Sequence, residues 1–181
     1  MDRIAIPLLV SVLIAAHLSA APVPKSVKPV VGETNSNALV KAHRDKLTLS
    51  ASSEWENWPV GHLFDGNDKT SWYSNNGEAP QNGRNPTIKV TFPENVSVKR
   101  ITVLGNRDPQ YLEGYFVLEG KIELLDKEDK LIASHELKGA GEKHDFDLVL
   151  TKLTTVRSVR FTATKDEKQM GCVGLGEFQI E

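Results

Sequence analysis

From Lys46 onward the sequence alternates between apolar and polar residues. Leu47, Leu49 and Ala51 alternate with Thr48 and Ser50, and Ile88, Val90 and Phe92 with Lys89 and Thr91. Ile101 and Val103 follow Arg100 and Thr102, and Glu123 separates Ile122 from Leu124. The same period runs through Phe146, Leu148 and Leu150, through Val159, Phe161 and Ala163, and through Phe178 and Ile180. A period of two puts one face of each strand on a core and the other in water. Turn chemistry lies between the runs: a charged tip over residues 125–131, and Gly139-Ala140-Gly141. No stretch of about a dozen residues shows a clean helical stripe. Many short strands with regular turns predict an all-β domain, an antiparallel sandwich or barrel.

The first residues follow a different logic. Arg3 precedes an apolar run from Ile4 to Ala16, and small residues cluster at Ser19, Ala20 and Ala21. That order predicts an export signal over residues 1–20, cleaved near Ala20. The apolar run is shorter than the roughly 20 residues a membrane span needs, and Pro7 interrupts it; an uncleaved anchor is the alternative. Residues 21–45 follow, with Pro22, Pro24 and Pro29 and a polar end, and read as a semi-extended linker. The folded domain is therefore expected over residues 46–181, long enough to bury roughly two thirds of its unfolded surface. The mature chain is expected to be secreted, periplasmic or cell-surface, with no membrane span.

The chain's charges narrow the function. Against 22 Lys and Arg stand 24 Asp and Glu, for a net charge of -2. Nucleic-acid binding usually needs a basic domain, so no nucleic-acid partner is expected. The single cysteine, Cys172, excludes an intramolecular disulfide, a cysteine-based zinc site and a redox pair. It reads as a small buried hydrophobe rather than a catalytic thiol.

Two long polar stretches, residues 52–85 and 106–114, interrupt the alternation, and both contain aromatics. Long loops on a β-scaffold are where function tends to sit. In the first, Asp65 offers a carboxylate, Gly66 permits a tight turn, Asn67 or Asp68 can present a carbonyl, and Thr70 a hydroxyl. Hard oxygen donors of mixed kind suit calcium, with its six to eight ligands, better than magnesium or zinc. An ordinary Asp-Gly turn is the other reading of this segment.

Leu49-Ser-Ala-Ser-Ser53, Leu63-Phe-Asp-Gly-Asn-Asp-Lys-Thr-Ser-Trp72, Ile101-Thr-Val-Leu-Gly-Asn-Arg-Asp108 and Gly174-Leu-Gly-Glu-Phe-Gln-Ile180 occur in that order. Together they resemble the coagulation factor 5/8 type C, or discoidin, domain of the galactose-binding-like superfamily, which includes family-32 carbohydrate-binding modules. The resemblance implies an eight-stranded antiparallel jelly-roll β-sandwich with a structural Ca²⁺ site. Carried over by position, the carbonyls of His62, Asn67 and Gly176, the carboxylates of Asp65 and Glu177, and Thr70 would hold the ion, and Trp72 would be a core residue. The animal coagulation members bracket the fold with two cysteines; Cys172 alone places this chain nearer the disulfide-free microbial carbohydrate-binding branch.

A sugar site needs a flat apolar face for the pyranose and planar hydrogen-bonding groups for its hydroxyls. Trp55 and Trp58 in the first loop, and Asn106, Arg107, Asp108 and Tyr111 in the second, are the candidates. The resemblance implies an arginine in the middle loop, and Arg107 stands in that place. Packing of the aromatics beneath the loops and pairing of Arg107 with Asp108 or Glu113 are the competing readings. The expectation is a secreted, non-catalytic module that binds a glycan or extracellular polysaccharide. The alternative is a protein- or surface-adhesion module on the same scaffold, with a noncovalent protein partner. No nucleophile motif, phosphate loop or histidine cluster supports an enzyme, although Asp145 and Asp147 could be imagined as glycosidase carboxylates.

Overall fold

A computed structural model describes residues 37–168 and 170–181. The expected export signal and most of the expected linker lie outside the described residues. The folded body, however, begins before Lys46. A short helix, α1 (Ala38–His43), is capped by the Asn37 side chain, which accepts from the Val40 N–H at 3.2 Å. Val40 is fully buried in the main core, so residues 37–45 belong to the domain rather than to a linker. Packing of Val40 and Leu39 on the core and of His43 against Phe92 fixes the segment, which is too short to hold a helix by propensity alone.

Seven strands follow: β1 (Thr48–Ala51), β2 (Trp72–Tyr73), β3 (Thr87–Gly105), β4 (Val117–Leu125), β5 (Leu131–Lys138), β6 (Phe146–Asp166) and β7 (Gly174–Ile180). All pair antiparallel. The alternating runs at 88–92 and 101–103 are one strand, β3, and those at 146–150 and 159–163 are another, β6. Each serves twice. The first part of β3 pairs with β1 and with the second part of β6, which continues to β4 and β5. The second part of β3 pairs with the first part of β6 and with β7, which continues to β2. The eight strands implied by the resemblance are thus met by seven continuous ones, two of them shared between layers.

Ring packing shows how far β6 bends. Phe146 and Phe161 lie on the same strand, which if straight at about 3.3 Å per residue would hold them roughly 50 Å apart. Their ring centroids are 5.1 Å apart. The strand therefore folds over, and its two ends face each other across the core. β3 turns with it. Pro93 removes a ladder donor there, and the register shifts between Thr91 and Val96 and again between Val98 and Arg100. After the second shift the buried positions change from Val96 and Val98 to Ile101 and Val103, since one extra residue moves the inward set to the other phase. Trp72 is a core residue, as expected: it is 1% exposed and its indole N–H reaches the Ser53 carbonyl at 3.2 Å. Cys172 is buried, and burial pushes its thiol up to about 11, which makes it inert.

Candidate functional site

The first loop turns tightly at Trp55–Trp58. The Trp58 N–H donates to the Trp55 carbonyl at 2.9 Å, and the Trp55 N–H to the Tyr73 carbonyl at 2.9 Å. Glu54 caps the next turn by accepting from the Val60 N–H at 3.0 Å. Both indoles are thereby fixed beside β2. Trp58 packs edge-on against Trp55, Tyr73 and Tyr111, with centroids 6.0, 5.8 and 5.5 Å away. Tyr73 and Tyr111 each pack edge-on against Tyr115. The five rings line a shallow pocket of about 60 Å³. Trp55 and Tyr111 stand out at its mouth, 38% and 40% exposed, while Tyr73 is buried. Edge-to-face pairs of this kind contribute about 0.5–1.5 kcal/mol each beyond area burial, so the cluster is rigid.

Polar groups beneath the rings hold the second loop. Asn106 is fully buried. Its Oδ1 accepts from the Tyr73 hydroxyl at 2.9 Å and from the Asp108 N–H at 3.1 Å, and its amide donates to the Tyr111 carbonyl. Asp108, 7% exposed, accepts from the Trp58 indole at 2.8 Å and from the Gln110 N–H at 2.9 Å. Ser71 Oγ accepts from the backbone N–H groups of Arg107 and Asp108 at 2.9 and 3.1 Å. Burial pushes the Tyr73 phenol far above its ordinary value, with the Asp108 charge adding to the rise and the Asn106 bond opposing it. Tyr73 therefore stays neutral.

Arg107 points elsewhere. Its guanidinium grips both oxygens of Asp145 at 2.8 Å and reaches the Gly105 carbonyl at 3.3 Å. The pairing partners considered from sequence, Asp108 and Glu113, are not the ones used. Of the six residues expected to touch a ligand, Trp55, Trp58 and Tyr111 share one aromatic surface. Asn106 is sealed beneath it with its polar atoms engaged, which corrects the expectation of direct contact. Arg107 and Asp108 brace the loop. Asp147, the other carboxylate considered for catalysis, is held by Arg100 at 2.7 and 2.9 Å and by the Thr102 hydroxyl at 3.2 Å. The Arg100 bonds keep its carboxyl below the usual range, which does not suit a general acid.

Tyr73 was missed in the sequence, and Tyr115 was seen only as a packing partner for Tyr111. Tyr73 sits beside Trp72 and reads as core. Tyr115 lies in Glu113-Gly-Tyr-Phe, a run richer in aromatics than a hairpin needs, and that excess was the available signal. It lines the inner wall of the pocket.

Of the metal candidates, Asp65, Asn67 and Thr70 meet in one turn, and that turn reaches Glu177 of β7. The Gly66 N–H donates to the Glu177 carboxylate at 3.0 Å, and the Asn67 N–H to Asp65 at 2.8 Å. The Thr70 hydroxyl meets both Asp65 oxygens, at 3.1 and 2.9 Å, and the Asn67 carbonyl at 3.0 Å. His62 lies in the 3-10 turn Val60–Phe64, its Nδ1 2.9 Å from the Ser71 carbonyl, and Gly176 adjoins Glu177 in β7. Glu177 is 5% exposed. Burial, a hydrogen bond with Asp65 and the Asp65 charge push its carboxyl up to about 8, against the N–H groups of Gly66 and Asn67. Among the described residues no lysine or arginine pairs with either carboxylate. Two carboxylates in contact, one of them buried, with neutral oxygen donors alongside, form a donor set that fits a hard cation. No three His, Cys, Asp or Glu side chains cluster among the described residues, so carbonyls and Thr70 would supply the remaining ligands.

Residues 48–178 match the model of the F5/8 type C domain. No curated protein matches the chain. Among solved structures, the chain is similar to the family 32 carbohydrate-binding module of Clostridium perfringens NanJ in complex with galactose. That likeness has a TM-score of 0.60 and 18% identity, over 74% of this chain and 92% of that one. The lectin domain of lectinolysin complexed with Lewis B antigen gives a TM-score of 0.59 at 14% identity, over 74% and 90%. A CBM32 domain of Clostridium perfringens GH89, in complex with GalNAc-β-1,3-galactose, gives 0.59 at 12% identity, over 78% and 97%. At these identities the likeness is one of fold: the galactose-binding-like β-sandwich.

Proposed function

Because the chain belongs to the F5/8 type C domain family, we propose that it is a non-catalytic glycan-binding module that acts outside the cell or at its surface. The observation that carries this reading is the aromatic pocket, with Trp55 and Tyr111 presented to solvent between loops braced from below. Exposed rings on a rigid support offer the flat apolar face that the CH side of a pyranose needs. The bound ligands of its structural neighbours, galactose and Lewis B among them, support the assignment. Binding by one such shallow site falls in the micromolar to millimolar range, about -8 to -4 kcal/mol, which favours multivalent use.

Structural calcium is part of the proposal. The carboxylates of Asp65 and Glu177, the carbonyls of His62, Asn67 and Gly176, and Thr70 would hold it. The ion would supply the positive charge that this carboxylate pair otherwise lacks, and so pin the first loop to β7.

Glycan-array binding by the wild type, Trp55→Ala and Tyr111→Ala tests the reading. Retention of a glycan by the wild type, weakened about tenfold or more in either variant without a fall in melting temperature, is the expected result. Unchanged retention in both variants would overturn the site.

A further inference from the structure

The pocket offers a bound sugar ring faces and few side-chain hydrogen-bonding groups. All five lining residues are aromatic, and none is basic. Two of their polar tips, the Tyr73 hydroxyl and the Trp58 indole N–H, are already engaged by Asn106 and Asp108. The rings meet at interplanar angles of 68° to 85°, so faces and edges surround the space from several directions. Ring faces are electron-rich, and rings arranged around a space attract organic cations, with alkylated ammonium groups the best fit.

A second observation has the same sign. Asp108 is 7% exposed, its carboxylate meets the N–H edge of the Trp58 indole, and its side-chain partners are neutral N–H donors. Among the described residues it forms no ion pair, and neighbouring Arg107 commits its guanidinium to Asp145. A buried negative charge thus backs the aromatic wall with no cation beside it, although burying an unpaired charge is costly.

We propose that this pocket takes an organic ammonium group carried on a glycan: the protonated amine of an amino sugar or the quaternary ammonium of a choline substituent. The proposal rests on the glycan-binding reading and narrows its ligand. Asp108 would act as a positioning residue that supplies charge through Trp58 rather than by contact.

The test titrates the full chain with two matched pairs of probes. Glucosamine is compared with N-acetylglucosamine, and choline with its neutral isostere in which carbon replaces nitrogen. At least one cation is expected to bind about tenfold or more tighter than its neutral counterpart, and the pair that discriminates names the source of the ammonium. Asp108→Asn keeps an acceptor for Trp58 and is expected to narrow the gap between each cation and its neutral counterpart. Trp55→Ala, at an exposed position, is expected to abolish cation binding even if the buried Asp108 variant fails to fold. Equal binding within both pairs would overturn the ammonium proposal, and neutral glycans held on an array would then leave the broader reading standing. Cation binding with no glycan retained would overturn the glycan assignment and keep the cage.

Discussion

The Trp58 indole N–H donates to the Asp108 carboxylate at 2.8 Å, and this bond ties the first binding loop to the second. The two loops are far apart in the chain and meet only because β2 and β3 end at the same edge of the sandwich. Trp58→Phe keeps a ring at the site but leaves one oxygen of a buried carboxylate without its indole donor. We expect a loss of about 1–3 kcal/mol in stability, measured by urea unfolding, together with weaker glycan binding. Unaltered stability would mean that water replaces the indole freely.

Arg107 holds the loop through a charge-assisted pair in which its Nη2 meets both oxygens of Asp145. Arg107→Ala and Asp145→Ala are each expected to lower the melting temperature. Asp145 is more than a third exposed, so solvent screens the pair. A double-mutant cycle should return a coupling of about 1 kcal/mol or less. Glycan affinity should fall only modestly in both variants. A large affinity loss in Arg107→Ala with none in Asp145→Ala would return the arginine to the ligand.

The glycines of Gly174-Leu-Gly176 are needed for close approach. A Cβ at position 174 would come within 2.6 Å of the Tyr73 ring, the floor of the pocket. At position 176 it would meet the Gly105 carbonyl at 2.8 Å and the Arg107 stem at 2.7 Å. Gly174→Ala must displace Tyr73, so we expect about 1–3 kcal/mol of destabilisation and loss of ligand binding, read by calorimetry of the same sample. Gly176→Ala meets backbone and should fold less well still.

What could be read from the sequence follows from the range of the interactions. Alternation along each strand is a local consequence of having one buried face, so the core positions of β1, β3, β4, β6 and β7 were legible. That two pairs of runs are single bent strands was not, because a bulge that changes the buried phase looks like a break. α1 carries one core side chain, Val40, and a single residue makes no stripe. At the site, Trp55, Trp58 and Tyr111 stood out as aromatics in polar loops. Asn106 looked equally available, yet whether an amide faces solvent or the underside of a loop depends on Tyr73 and Tyr111, which only the folded chain brings to it. The partner of Arg107 lies 38 residues away, just ahead of β6, and nothing local marks it.

The Asp65–Glu177 pair makes the most direct prediction about metal. Burial and Asp65 raise the Glu177 carboxyl from 4.5 to about 8 in the folded state. Between those values the metal-free folded state keeps a proton that the unfolded state has released. Its stability should therefore be highest below about pH 4.5 as far as this group is concerned, fall as pH rises through the interval, and level off above about pH 8. A bound cation favours the ionised form and reverses the penalty, so added calcium should raise the melting temperature most near pH 8 and least near pH 5. Glu177→Gln removes the titrating group. It should flatten the pH dependence of the chelated protein and abolish the calcium response. Thermal melts across this pH range, with chelator and with calcium, read both effects. A melting temperature that calcium leaves unmoved at pH 8, in a wild type whose stability nonetheless falls with rising pH, would mean that the pair is a proton site and not a metal site.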